Sequence, residues 1–161
     1  MFKFGTISAF KHVRNNPRAK ALVDLKNGNI VIPDDASGSA PTPANLGQAQ
    51  GKNLWVAINI IDKPEINTLK TGWGIKAGEF VNAFSLADLA GLTVELDASV
   101  IATDYATISR GEKLVAQGNG SGQWVKADGT TIDPDDYAIV LEVIEKTTYF
   151  DRGIYAIVTV K

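Results

Sequence analysis

The densest run of side chains able to do chemistry is Asp128-Gly-Thr-Thr-Ile-Asp-Pro-Asp-Asp136, which puts four carboxylates within nine positions. Hard cations such as calcium take oxygen ligands, so a cation loop would need a pattern of this kind. The spacing is not that of an EF-hand loop, whose glycine and terminal glutamate are missing from their places. Asp-Gly and Asp-Pro both start turns, because Asp bonds its own backbone and Pro presets φ. Turn chemistry is the expected role, and no metal site is assigned. Paired carboxylates for glycoside hydrolysis would need a cleft, and nothing in the sequence locates one.

Other reactive sets are sparser still. His12 is the only histidine and there is no cysteine. A Ser-His-Asp triad would have to recruit His12 from a basic N-terminal arm, and no zinc set can be assembled. The Gly118-Asn-Gly-Ser-Gly122 run lacks the Lys-Ser/Thr and the following helix of a phosphate-binding loop, so it reads as a flexible hairpin loop. Trp55, Trp73, Trp124 and the Tyr149-Phe150 pair could stack on sugars or bases, although such residues are more often core and interface anchors. No catalytic residue and no cofactor is assigned, and the chain is not expected to be an enzyme.

Composition narrows the class. With 161 residues and 45% hydrophobic content, the chain suits one domain plus an arm, or two small modules. No apolar run approaches the ~18–20 residues of a membrane helix, and the N-terminus lacks a secretory apolar region. An acid-poor, Arg-bearing start resembles an organelle transit peptide in composition alone. The absence of cysteine fits a reducing cytosol. Net charge is −2, but the first 26 residues carry six bases and one acid (+5) and the remainder ten bases and seventeen acids (−7). A basic arm on an acidic body can steer docking onto an acidic surface. The acidic body disfavours a nucleic-acid groove, and no membrane partner is expected.

The elements that would position these residues are mostly strands. Phe4, Ile7, Phe10 and Val13 or Arg14 recur at roughly helical spacing, while Phe2, Phe4 and Gly5 argue equally for an extended arm. Ala21–Leu25 and Ile30–Ile32 flank Lys26-Asn-Gly-Asn29, a plausible β-hairpin. Residues 33–51 have one large apolar side chain and two internal prolines, which predicts a flexible linker. This divides the chain into an N-terminal arm and hairpin (1–32), a linker (33–51) and a β-rich domain (52–161). Within the last, residues 53–62 read as a central strand and Ser85–Gly91 as a helical turn with Ser85 as N-cap and Gly91 as stop. Ile75-Lys-Ala-Gly-Glu and Ile108-Ser-Arg-Gly-Glu share an Ile-x-x-Gly-Glu core, which predicts one turn-and-strand device used twice. The fold class is mainly β: a compact antiparallel barrel or sandwich of seven or eight strands with one short helical turn, preceded by the arm and hairpin.

Several segments resemble the head decoration, or capsid cement, proteins of tailed bacteriophages. They are Lys76–Val81 (Lys-Ala-Gly-Glu-Phe-Val), Tyr105–Val115 (Tyr-x-Thr-Ile-x-x-Gly-Glu-Lys-Leu-Val), Gly122–Gly129 (Gly-x-Trp-x-Lys-Ala-Asp-Gly) and Ala138–Thr148, followed by a last hydrophobic strand. The resemblance covers roughly residues 52–161. It implies a β-tulip-like domain on the outer capsid surface of the virion, made in the host cytoplasm, that clamps neighbouring capsomers. The implied partners are the major capsid protein and further copies of the chain, a trimer before a dimer. Candidate contact residues are Phe2, Phe4, Phe10, Arg14, Arg18, Trp73, Phe80, Tyr149 and Phe150. The alternative is a β module that binds carbohydrate or a host surface.

Overall fold

Alternating polarity along the two longest strands fixes where the core lies. The computed structural model describes residues 2–4 (main chain only), 13–59, 74–147 and 152–161. β10 (Ile139–Thr147) and β11 (Gly153–Val160) pair antiparallel, with Leu141 opposite Val158 and Val143 opposite Ala156. Ile139, Leu141, Val143, Ile154, Ala156 and Val158 point to one side and are buried, while Glu142 between them is exposed. A β-strand places successive side chains on opposite faces, so this face is dry, while the other is mixed, with Glu142 exposed and Val115 and Val140 buried. The register slips between Val143 and Glu145, a bulge that bends the strand.

Around this pair the chain builds two sheets. With β1 (Phe2–Phe4), β7 (Thr93–Asp97), β8 (Lys113–Ala116) and β9 (Trp124–Lys126), β10 and β11 form an antiparallel six-stranded sheet, curled into a half-barrel, in the order β1-β7-β11-β10-β8-β9. The second sheet has the order β3-β5-β6-β2-β4 and uses β2 (Asn15–Ala21), β3 (Ile30–Val31), β4 (Ser39–Ala40), β5 (Trp55–Ala57) and β6 (Phe80–Ser85). It is antiparallel except for the parallel β2–β4 pair. Ile30, Val56 and Phe84 from this sheet join the main core beside Leu96, Leu114, Trp124 and Leu141. Ala19, Ala21, Ala57, Val81 and Ala83 form a second, small-residue cluster with Leu25 and Ile75. The mainly β, barrel-or-sandwich class is as expected, and residues 52–161 supply seven strands among the described residues.

Three expectations about the first 51 residues are corrected. The segments flanking Asn27-Gly28 do turn, with the Asn29 N–H donating to the Lys26 carbonyl, but they do not pair with each other. β3 pairs with β5, and β2 pairs with β6 and β4. The cause is Asn27, whose carboxamide pairs with both main-chain groups of Asn59 at 2.8 Å and draws the turn onto the end of β5. Residues 33–51 are not a linker: they contain β4 and the helix α1 (Leu46–Gln50), and Ala40 and Ala49 are fully buried. Consequently residues 13–51 and the body belong to one folded unit, because β2 sits between β4 and β6. Of the N-terminal arm, residues 2–4 are extended as β1 on β7, and residues 5–12 lie outside the described residues.

The Ile-x-x-Gly-Glu device is used twice, as expected. Ile75 and Ile108 are buried, and Gly78 and Gly111 have φ of 87° and 84°, which glycine adopts without a Cβ clash. Glu79 and Glu112 each fold back to accept the N–H three residues earlier, from Lys76 at 2.8 Å and Ser109 at 2.6 Å. Both turns dock alike on a neighbour: the Gly N–H donates to Ala21 or Val143, whose own N–H donates to the Glu carbonyl.

The helical turn expected at 85–91 is a 3₁₀ turn, Ala87–Leu89, without a side-chain cap. Ser85 does not cap it: its Oγ accepts from Arg14 Nη2 and bonds the Asp88 side chain.

The joint between the two sheets is the glycine run 118–122, between β8 and β9. It is a hairpin connection, but a clamped one and not the flexible loop that composition suggests. Gly122 O accepts from Ile30 N at 2.7 Å and from Asn29 Nδ2 at 3.0 Å, and Gly120 N donates to Pro43 O at 2.8 Å. A Cβ on Gly118 would stand 2.6 Å from the Asn45 carbonyl carbon, and one on Gly122 would stand 2.8 Å from Ile30 O. The neighbouring Trp124 is fully buried and donates through Nε1 to Gly28 O at 3.0 Å. Gly118→Ala should therefore cost about 3 kcal/mol in urea denaturation, since backbone and not a rotatable side chain must yield. Trp124→Phe, which leaves the Gly28 carbonyl unpaired, should cost about 1–3 kcal/mol. Gly47→Ala in α1, whose Cβ meets nothing closer than Asn45 Oδ1 at 3.5 Å, should be neutral or stabilising. A Gly118→Ala protein as stable as the parent would remove the joint from this picture.

Candidate contact surface

Four large apolar side chains are exposed among the described residues, and three of them gather where β2 ends and β6 begins. Phe80 is 58% exposed, Leu22 57% and Val23 41%; the fourth, Leu46, opens α1. The antiparallel register puts Lys20 opposite Phe80, and the Lys20 Nζ lies over the Phe80 ring, 5.2 Å from its centre. Arg18 is exposed on the same strand, its N–H bonded to Asn16 Oδ1 where the β2–β6 register slips. The turn beside this patch is fastened by Asp24, which accepts from Lys76 Nζ at 2.6 Å and Ala77 N at 3.0 Å. The Lys76 bond, then the Ala77 bond, hold the Asp24 carboxyl below its ordinary range. The patch combines apolar area with two cations on a strand pair and the bend that follows β2, the composition of a protein-binding surface.

Arg14 lies at the other end of β2 and is engaged within the chain. Its Nε donates to Asp88 Oδ2 at 2.7 Å, its Nη2 to Asp88 Oδ1 at 3.2 Å, and its N–H to Asp88 Oδ2 at 3.0 Å. The guanidinium also stands over Trp55, 5.9 Å from the ring centre. Bidentate carboxylate pairing fixes the planar guanidinium and lowers the Asp88 pKa while raising that of Arg14. Arg14 thus clasps the start of β2 to the 87–89 turn, with its side chain 62% exposed.

The remaining expected contact residues divide simply. Phe2 and Phe4 are placed by their main chain on the sheet edge, while Phe10, Trp73, Tyr149 and Phe150 lie outside the described residues, as does His12. Sequence reasoning missed Lys20, Leu22 and Val23, because it assigned Leu22 and Val23 to a hairpin strand. The trace of the true arrangement is the alternation Ala19-Lys20-Ala21, small residues in and a cation out. For the carbohydrate reading, Trp124 offers no stacking face, since it is a core residue. Trp55 is half-buried, packs against the small-residue cluster, and is covered by Arg14.

The acidic run makes turns. Asp128 Oδ1 accepts from the N–H groups of Thr130, Thr131 and Ile132 at 2.8–2.9 Å. Asp133 caps the 3₁₀ turn Pro134–Asp136 through the Asp135 N–H, and Asp135 pairs with Lys161 at 2.6 Å. Among the described residues, no group of three or more His, Asp or Glu could hold a metal ion. No described helix is long and apolar enough to cross a membrane.

The Asp128 bonds generate a pH prediction. Hydrogen bonds from Ile132 and Thr130, chiefly, lower its pKa from 3.8 to about 2. The folded value lies below the unfolded one, so the contribution is complete above the ordinary carboxylate range and is lost as pH falls through about 2. Carboxyl titration followed by NMR should place the Asp128 midpoint near 2, and Asp128→Asn should abolish that part of the acid response. A midpoint in the ordinary range would show that the three bonds do not hold in solution.

The sequence matches no protein-family model, no curated protein and no solved structure.

Proposed function

We propose that this chain is a structural virion protein that binds the outer surface of a tailed-phage capsid and stabilises the shell by bridging neighbouring capsomers. The observation that carries this reading is the patch of Phe80, Lys20 and Arg18 on the paired strands β2 and β6, with Leu22 and Val23 in the bend that follows β2. Exposed apolar side chains flanked by cations are suited to a partner surface with apolar pockets and a carboxylate rim. The segments that resemble decoration proteins support the same role. One of them, Lys76–Val81, contains Phe80 and the turn fastened by Asp24.

In this reading the major capsid protein is the partner and the chain acts as a homo-oligomer, a trimer before a dimer, with no catalytic step. Bridging requires at least two contacts per particle, and oligomerisation supplies them by raising the effective concentration of the second. Light scattering gives the oligomer mass directly.

Removing residues 1–32 to test an arm would also remove β2 and β3, so point substitutions on the patch are the cleaner probe. Protein added back to virions lacking it should co-sediment with them. Phe80→Ser combined with Lys20→Glu should weaken that binding by about tenfold or more, as loss of a central anchor does, with an unchanged circular dichroism spectrum. Failure of the parent protein to bind, or equal binding by the double variant, would contradict the proposal.

A further inference from the structure

The chain contains two Asn-Gly dipeptides, Asn27-Gly28 and Asn119-Gly120, and the structure treats them differently. Asn followed by Gly is prone to lose ammonia, because glycine has no Cβ to shield its peptide nitrogen from the preceding carboxamide. Asn27 is 5% exposed. Its Nδ2 donates to Asn59 O and its Oδ1 accepts from Asn59 N, both at 2.8 Å. The Gly28 N–H donates to Ala57 O at 2.8 Å. Both reactants at this site are held in buried, paired positions.

Asn119 is exposed, at the outer side of the glycine run. Its Oδ1 accepts from the Ser121 N–H at 3.0 Å, which folds the carboxamide back over the Gly120 peptide. Gly120 is held from the other side: its N–H donates to Pro43 O at 2.8 Å, and its carbonyl accepts from Thr42 Oγ1 at 2.5 Å. The nucleophilic nitrogen becomes available only when this clasp opens.

We propose that Asn119 is a site of spontaneous deamidation and that the Thr42–Pro43 clasp on Gly120 sets its rate. Solvent hydroxide takes the Gly120 N–H proton and the nitrogen attacks Asn119 Cγ. The new N–Cγ bond replaces Cγ–Nδ2, and ammonia leaves. One water then opens the succinimide at either carbonyl, giving aspartate or isoaspartate at position 119; nothing is oxidised or reduced. The aspartate product keeps an oxygen for the Ser121 N–H. The isoaspartate product inserts a main-chain methylene between the residue 119 Cα and the peptide to Gly120, whose N–H and carbonyl are held by Pro43 and Thr42. The modification therefore acts on the joint between the sheets and adds a negative charge there.

The experiment incubates the full folded chain at mildly alkaline pH and locates the amide-to-acid mass change by peptide mapping. A free peptide of residues 117–123 runs in parallel. The change should appear at Asn119 and not at Asn27, and more slowly than in the peptide. Thr42→Val, which removes one bond to Gly120, should raise the rate at Asn119 about fivefold, the population shift from one lost hydrogen bond. In the unaltered chain, hydrogen exchange at the Gly120 amide measures how often the clasp opens. The folded-to-peptide rate ratio at Asn119 should follow that open fraction, whether or not the variant folds. Modification of Asn27 first, or a folded rate equal to that of the peptide, would overturn the proposal.

Discussion

The close approach of Gly118 and Gly122 to the Asn45 and Ile30 main chain is the constraint on which the rest of the structure depends. It brings two peptide backbones to a separation that no side chain allows, and so lets the main-chain groups of Ile30 and Pro43 and the side chains of Asn29 and Thr42 bond the β8–β9 connection directly. Trp124, two residues after Gly122, is a core residue and ties Gly28 to the core. Without the joint, the five-stranded sheet would keep its small-residue cluster and the apolar contacts of Ile30, Val56 and Phe84 with the half-barrel but lose the bonds to the 118–122 run.

That rigidity bears on the proposed role. A surface that bridges other proteins must hold its anchors in place before contact, since ordering them during binding subtracts from affinity. Lys20 and Phe80 face each other across paired strands, and Asn59 braces β6 by bonding the main chain of both Phe80 and Asn82. The contact surface thus rests on the same network that fastens the 26–29 turn to β5. The electrostatic asymmetry of the sequence has a structural counterpart here: Arg18 and Lys20 lie on β2, whereas Asp133, Asp135 and Asp136 lie in the loop before β10.

Much of the fold was legible because strands declare themselves by alternation. β10, β11 and the twin Ile-x-x-Gly-Glu turns follow from periodicity and from glycine ahead of a strand. The first 51 residues were misread because the rule for linkers counts large apolar side chains. Ala40 and Ala49 are buried by small volume and main-chain bonding instead. The false hairpin at Asn27-Gly28 has a similar origin: the local turn signal was right, but a carboxamide bonding Asn59, 32 residues away, chose the partner strand. The contact patch was half legible. Phe80 stands out within its segment, whereas Leu22 and Val23 needed the true end of β2 to become surface residues. The pairing of Arg14 with Asp88, 74 residues distant, leaves no trace in the sequence.

Native-state hydrogen exchange on the full chain tests most directly whether the two sheets form one cooperative unit through the glycine joint. Amides of Ala19 and Val81 in one sheet, and of Leu114 and Leu141 in the other, should exchange with the same opening free energy and the same denaturant dependence. Exchange of the first pair through a separate, lower-energy opening would contradict this, and would mean that the five-stranded sheet behaves as a loosely attached element.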